Sequence, residues 1–521
     1  MAAAPFVPPE LLLHIFGELK AAPRQLATVA CASRRFRAIA EPILYDSATL
    51  RNRYVLQAFT LTLLRRSDLA RLVRALDIDW STSKEEEHSI QAGFHAFHSY
   101  GGAFFMTKSE RELAKEGNLW VSNDSPIESA LGAAEARNMN PGLRQALRQR
   151  TASAQVVVLL DLVPNLMSLV VNPSRIDFWF YGALPSPYDP EKRIPAGLKS
   201  LRSLEITYPD HDDDDDDHYA ISDMNQGEGY AHVKVISALL LPNLRSLVFV
   251  GDEGEEDTWE QYFAENDDDN GYFLDLERLA GASGVTRLDL RDTSLPTSLF
   301  ARILRMAPAL ESLRLEQYEE VNYRQLSDVL RQLCLRSIAL VEYDLADDDR
   351  DEACLPFRNF GELRTLTYLM VPIQALITEE GQDLSANVPA SVEELDICFG
   401  SDESLSSYTD TIVRFLSQGH CPNLRRFIVR PAIGFRDDIP NMCAAAKIEF
   451  RSEDFIEPPL GDGTASYWTS EGEGSEFSGY SDPDEWGTED ESDGDHWEDD
   501  DEDEDGLEDE ESSEEESDEE D

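Results

Sequence analysis

A six-residue pattern, apolar-x-x-apolar-x-apolar, occurs ten times along the chain and constrains its fold more than any other feature. It reads VRALDI from 73, LMSLVV from 166, LRSLEI from 201, LRSLVF from 244, VTRLDL from 285, LESLRL from 310, LRSIAL from 335, LRTLTY from 363, VEELDI from 392 and LRRFIV from 424. After a first gap of 93 residues, the copies start 25 to 43 residues apart. The last two apolar residues of each copy lie two apart, so they share one face of an extended strand, and the residue between them faces the other way. Several copies follow a helix-period segment that ends near a proline, as in AHVKVISALLLPNL, TSLFARILRMAPAL and DTIVRFLSQGHCPNL. A strand that cannot bury its apolar face alone, returning behind a helix at such intervals, predicts coils that stack and share one core.

The fold class expected is therefore α/β. A three-helix unit over 5–50 precedes an irregular leucine-rich-repeat solenoid, one strand plus helix per repeat, over 51–450. The alternative is an α/β protein whose strands are merely rich in leucine. The asparagine usual in such repeats is missing three residues after the last inward position, where Ser174, Pro209, Asp252, Thr293 and Tyr318 stand.

Charge divides the chain. Its net charge is −58, and the stretch from Glu471 to Asp521 holds 30 acidic residues and no Lys or Arg, leaving −28 for the rest. Acidic loops are expected at about 210–220, 251–271 and 344–352, because charge this dense stays solvated. A larger insertion at about 80–140 has mixed signals and no assignable role. The tail over 467–521 has almost no aliphatic residues to offset the entropy of ordering and is expected to be disordered. In it Ser512, Ser513 and Ser517 each precede a glutamate by three residues, a context for acidophilic kinases. No basic stripe exists to neutralise phosphates, which excludes nucleic acid and anionic lipid as partners. Basic protein partners are compatible with the charge.

Signatures of catalysis are absent from the sequence: it contains no Gly-rich phosphate loop, HExxH, CxxC or GxSxG. His211 and His218 flank six aspartates, but a loop of acidic bulk offers a cation no fixed geometry. No enzyme activity, metal or cofactor is expected. The six cysteines lack paired short spacings, no secretory signal opens the chain, and no apolar run reaches bilayer length. These features predict a soluble intracellular protein, cytoplasmic, nuclear or both.

The first fifty residues pose a problem of burial. Pro8 and Pro9 suit a helix start, and Leu11, Leu12, Ile15, Phe16 and Leu19 follow at helical spacing. Pro23 begins a second helix with Leu26, Val29 and Ala30; Ser33 is placed to cap a third, with Phe36 and Ile39, that Pro42 should end. Three helices in some forty residues are near the limit of independent folding. If five large side chains became buried on docking, the gross gain would be roughly 7 to 15 kcal/mol, enough for a tight complex. Otherwise the unit merely caps the first coil of the solenoid.

Val7-Pro8-Pro9-Glu10-Leu11-Leu12, then Ile15-Phe16, Leu19, Leu26, Val29, Ala30, Cys31 and Ser33-Arg34-Arg35-Phe36, resembles an F-box. The following AEPILYDSATL is similar to the end of this motif in large fungal families of F-box proteins. The resemblance implies a segment that docks on the Skp-type adaptor of an SCF-type cullin-RING ubiquitin ligase while the rest of the chain selects a substrate. Mapped residue by residue, it makes Pro8, Glu10, Leu11, Ile15, Leu19, Leu26, Val29 and Phe36 the adaptor-facing or supporting positions. Phe36 stands where the motif often has Trp. The open strand face offers Glu205, Thr207, Arg287, Asp289, Arg291, Arg314, Glu316, Asp396 and Arg430 as contacts for an unidentified protein substrate. A second reading takes the long acidic tail beside leucine-rich repeats, an arrangement that resembles acidic leucine-rich nuclear phosphoproteins, as a binder or chaperone of basic, histone-like proteins.

Overall fold

The computed structural model describes residues 7–20, 22–51, 53–79, 132, 143, 147, 152–172, 178–187, 192–207, 231–252, 276–293, 295–317, 321–342, 355–377, 383–399, 405–430 and 438–452. The insertion expected at 80–140, except Gly132, lies outside them, as do the acidic loops and the tail; Gly251 and Asp252 belong instead to a strand. All described residues fall in one unit, Met1–Ile456.

Three helices open the chain: α1 (Pro9–Glu18), α2 (Pro23–Ala32) and α3 (Arg34–Asp46). Proline at the first helical position costs α1 and α2 nothing, because that amide has no intrahelical acceptor. The Ser33 hydroxyl caps α3 by accepting from the Phe36 amide at 3.0 Å. Pro42 does not end α3, contrary to expectation; the helix runs one further turn to Asp46. Losing one backbone hydrogen bond is tolerated there because Ala40, Ile43 and Leu44 pack into the bundle core and Tyr45 stacks on Phe59 at 6.1 Å.

No linker follows. Ser47, the residue that ends α3, starts β1 (Ser47–Leu50), and twelve parallel strands then lie side by side in chain order. They are β2 (Ala75–Asp79), β3 (Ser168–Asn172), β4 (Ser203–Thr207), β5 (Ser246–Asp252), β6 (Arg287–Thr293), β7 (Ser312–Gln317), β8 (Ser337–Glu342), β9 (Tyr368–Pro372), β10 (Glu394–Cys398), β11 (Arg426–Arg430) and β12 (Glu449–Ser452). A parallel sheet in which every strand pairs only with its neighbours in sequence is solenoid-like, since each connection must circle back before the next strand begins. Helical returns supply that path: α4 (Arg53–Arg65), α5 (Ser67–Ala70), α6 (Ala152–Leu162), α7 (Phe178–Ala183), α8 (Ala196–Ser200), α9 (Ala231–Leu239), α10 (Thr297–Met306), α11 (Tyr323–Leu330), α12 (Ile373–Leu376), α13 (Leu405–Gln418) and α14 (Asp438–Ala446).

Each apolar hexad delivers its three apolar residues to the shared core. Leu201, Leu204 and Ile206 are fully buried, and the corresponding triplets of β2 to β11 are buried with them. Backbone bonding fixes the stack. The carbonyl of the second hexad residue accepts two amide protons from the next coil: Arg74 from Met167 and Ser168, Met167 from Arg202 and Ser203, and so on through Glu393. The ladder begins on α3 itself, where the Asp46 carbonyl accepts from the Arg74 amide at 2.9 Å. Asn165 and Asn243 add side-chain bonds to carbonyls of the preceding coil, each 2.7 Å.

One hexad is out of phase with its sequence assignment. Residues 363–371 read LRTLTYLMV, which fits the pattern from 363 or from 366. Tyr368 pairs with Ser337 and Glu394, and Thr367 carries the ladder carbonyl, so the hexad starts at Leu366. That register buries Leu369 and Val371 on the core face and turns Tyr368 to the opposite one. Strands β1 and β12 have no full hexad. Tyr45, Ala48 and Leu50 stand at its three apolar places in β1, whereas Lys447 stands at the first place in β12, where the stack stops.

Candidate functional site

Two surfaces stand out, one on the N-terminal bundle and one on the sheet face opposite the core. The bundle closes its own small core from Leu12, Phe16, Leu26, Ala30 and Ala40, flanked by Leu19, Val29, Phe36, Ile39, Ile43 and Leu44. Phe16 and Phe36 meet edge to face, with centroids 5.7 Å apart. Leu26 is 1 % exposed, so it supports the bundle from within and cannot face a partner.

What the bundle leaves out is concentrated on α1. Leu11 is 55 % exposed, Leu13 50 % and Ile15 51 %; with Val7 and Val55 they are the exposed large apolar residues among those described. The side chains are not tucked beneath the first coil. Pro8 and Glu10 are exposed alongside, while Leu19, Val29 and Phe36 are half-buried. Leu13 and Val7 were missed by helical spacing, because Leu13 falls off the stripe of Leu12 and Phe16 that defines the inner face. Half of each outer side chain is already covered, so burying Val7, Leu11, Leu13 and Ile15 adds about 3 to 6 kcal/mol gross, less than sequence alone suggested. An association cost of about 4 kcal/mol or more requires a partner to touch the neighbouring helices as well.

The bundle is held against the first coils by charge and by stacking. Arg66 reaches across to Glu41 of α3 at 3.4 Å while bonding Asp68 of its own coil at 2.7 Å, which holds the Asp68 carboxyl below its ordinary range; within the bundle Lys20 bonds Asp46 at 3.0 Å. These pairs are solvent-exposed, so their energy is small; the rigid element is the unbroken passage from α3 into β1.

The second surface is the sheet face opposite the core, where the nine residues singled out from sequence all lie. Glu205, Thr207, Arg287 and Arg291 are half-buried, whereas Asp289, Arg314, Glu316, Asp396 and Arg430 are buried rather than open to water as expected. The buried group is paired internally. Arg291 grips Asp289 through two bonds of 3.0 and 3.1 Å, Arg314 bonds Glu316, and Arg430 bonds Asp396 at 2.9 and 3.2 Å. Alternation told which way these side chains point; it could not tell that opposite charges two residues apart or on adjacent strands would neutralise each other.

The two ends of this face differ. In β7 to β11 the face is closed by those pairs and by Ala339, Val341, Met370 and Cys398. In β2 to β5 Asp77, Val170, Glu205, Val248 and Val250 all stay half-exposed. Arg51 takes the Asp77 carboxylate at 3.1 Å and lies 3.9 Å from Asp79. Among the described residues Glu205 has neither hydrogen bond nor ion-pair partner. Dehydration, helped by the charges of Asp289 and Asp77 and opposed by those of Arg291 and Arg287, raises its pKa above the ordinary glutamate value.

Burial and the Asp396 charge push the Cys398 thiol up, and burial pushes Cys421 up to about 12, so neither supplies a thiolate nucleophile near neutral pH. Among the described residues no group of three His, Cys, Asp or Glu side chains is placed to hold a metal ion. No described helix is long and apolar enough to cross a membrane.

Residues 5–51 match the family model described as F-box-like. The match ends one residue past β1, so it spans the three helices and the first strand of the sheet. No curated protein matches the chain.

Proposed function

We propose that this protein is a non-catalytic substrate receptor of an SCF-type cullin-RING ubiquitin ligase. In this reading the F-box-like segment docks on a Skp-type adaptor and, through it, on the cullin. The strand–helix sheet is then a leucine-rich-repeat solenoid that binds a protein substrate. One observation carries the reading: Leu11, Leu13 and Ile15 stand about half exposed on a bundle whose own core is already closed, inside the segment that matches the F-box-like family. Pro8, Glu10, Leu11, Ile15 and Leu19 form the adaptor-facing edge, joined by Val29 and Phe36 and supported by Leu26 from within. Functional boundaries follow at 5–50 for docking and 51–450 for recognition. Because α3 passes into β1 without a linker, a substrate on the open face is held at a fixed position relative to the adaptor.

Capture from cell extract with the full-length chain tests the proposal. The wild type recovers a Skp-type adaptor and a cullin, and the double change Leu11→Asp with Ile15→Asp abolishes both. Equal recovery by the double variant would remove the interface.

A further inference from the structure

We infer that the open sheet face of β2 to β6 is a docking site for an extended basic peptide segment, in which one Arg or Lys reaches Glu205 and apolar neighbours lie against Val170 and Val248. The inference deepens the receptor reading by naming the ligand class of its recognition face.

The argument starts from register. Asp77 pairs with Val170, Val170 with Glu205, Glu205 with Val248 and Val248 with Asp289, so five strands present an acid–Val–acid–Val–acid row across the sheet. Neighbouring strands are about 4.8 Å apart, which puts each acid roughly 10 Å from the next. The outer two acids are neutralised within the chain, Asp77 by Arg51 and Asp289 by Arg291. Among the described residues of this row Glu205 is the one left over, between two valines that shed water from its flanks. A partly dehydrated carboxylate with no cation bonded to it is unfavourable in the free protein and becomes favourable once a cation is supplied.

Charge complementarity fixes the sign of the occupant. An acidic ligand would meet the Glu205 carboxylate on a chain of net charge −58. A purely apolar ligand would bury Glu205 unpaired. A basic side chain relieves both problems, and its methylene stem covers valine surface while its head bonds the carboxylate. The far half of the same face offers no equivalent, since Arg314–Glu316 and Arg430–Asp396 are paired and buried.

A positional-scanning library of nine-residue peptides, with the central residue fixed in turn, tests this on the full-length chain. Arg or Lys at the centre is expected to be selected, and the Glu205→Gln variant, which keeps shape and removes charge, to bind the selected peptides about tenfold more weakly. Selection of an acidic or apolar centre, no selection at all, or equal binding by Glu205→Gln would overturn the inference. So would basic selection that survives Glu205→Gln but disappears when residues 471–521 are deleted, since the acidic tail would then be the binder. Leu11→Asp with Ile15→Asp should leave peptide selection unchanged, so failure of the ligase reading and failure of this one are distinguishable.

Discussion

The N-terminal bundle and the stacked sheet solve the same burial problem in different ways. Each coil of the sheet hides its hexad against two neighbours, and the core triplets of β2 to β10 are essentially inaccessible. Among the described residues no element covers the outer side of α1. The bundle encloses Leu12, Phe16, Leu26, Ala30 and Ala40 and leaves Leu11, Leu13 and Ile15 in water. A repeat array satisfies its own apolar surface by repetition, whereas a forty-residue bundle runs out of chain. Exposed aliphatic groups therefore mean something different in the two regions: in the sheet they would signal a defect, and on α1 they are the surface on which the proposed adaptor docks.

The sharpest way to break that comparison is to charge both kinds of leucine. Leu11→Asp with Ile15→Asp is expected to reduce adaptor capture at least a hundredfold while shifting the thermal midpoint by no more than about 2 °C, because surface substitutions rarely exceed about 0.5 kcal/mol each. Leu26→Asp should also lose capture, but through unfolding of the bundle, visible as a loss of helical circular dichroism. If the α1 pair unfolds the protein as Leu26→Asp does, α1 is core and the distinction fails.

Truncation inside the sheet comes next in size. Leu369→Ala is expected to cost about 2 to 5 kcal/mol, as for other fully buried leucines, whereas Tyr368→Thr on the opposite face should cost much less. The reverse order, read from urea midpoints, would restore the hexad start at 363. A smaller effect is expected at Gly197, in the turn of α8 that abuts the end of α6. A Cβ there would lie 2.6 Å from the Leu160 carbonyl oxygen and 2.9 Å from that of Val163, so Gly197→Ala should lose about 1 to 3 kcal/mol by forcing two coils apart. Unchanged stability would show that coil contacts yield more readily than core packing.

Most of the fold was legible because it rests on short-range periodicity. Ten hexads gave ten strands, β2 to β11, and Pro9, Pro23 and Ser33 marked the helix starts. Three features were not legible, each for a physical reason. LRTLTYLMV satisfies two phases, and only the pairing of Tyr368 with Ser337 and Glu394 selects one. Pro42 looks like a helix terminator, yet tertiary packing of Ile43, Leu44 and Tyr45 carries α3 past it. Strands β1 and β12 carry Ala48 or Lys447 where a hexad would have a large apolar residue, because end coils have a neighbour on one side only. On the open face, alternation identified the outward residues, but which charges cancel depends on contacts such as Arg430 with Asp396, thirty-four positions apart.

The smallest effect sharpens the comparison within the sheet itself, between charges that are paired and the one that is not. Glu205 titrates above the ordinary glutamate value in the folded chain, so its ionised form is disfavoured relative to the unfolded state. At neutral pH both states carry the charge and the folded state bears the dehydration cost. As pH falls through the raised pKa the folded chain takes up a proton first, the cost disappears, and below about pH 4.3 both states are protonated. Glu205→Gln removes the titration, with Asp77, Asp289, Arg287 and Arg291 left in place around the site. The variant should therefore melt slightly higher than wild type at pH 7 to 8, by less than about 2 °C, and the difference should shrink to nothing near pH 4. A difference that stays constant across this range would mean that Glu205 ionises as it would in water, and that the open face carries no dehydration cost for a basic segment to relieve.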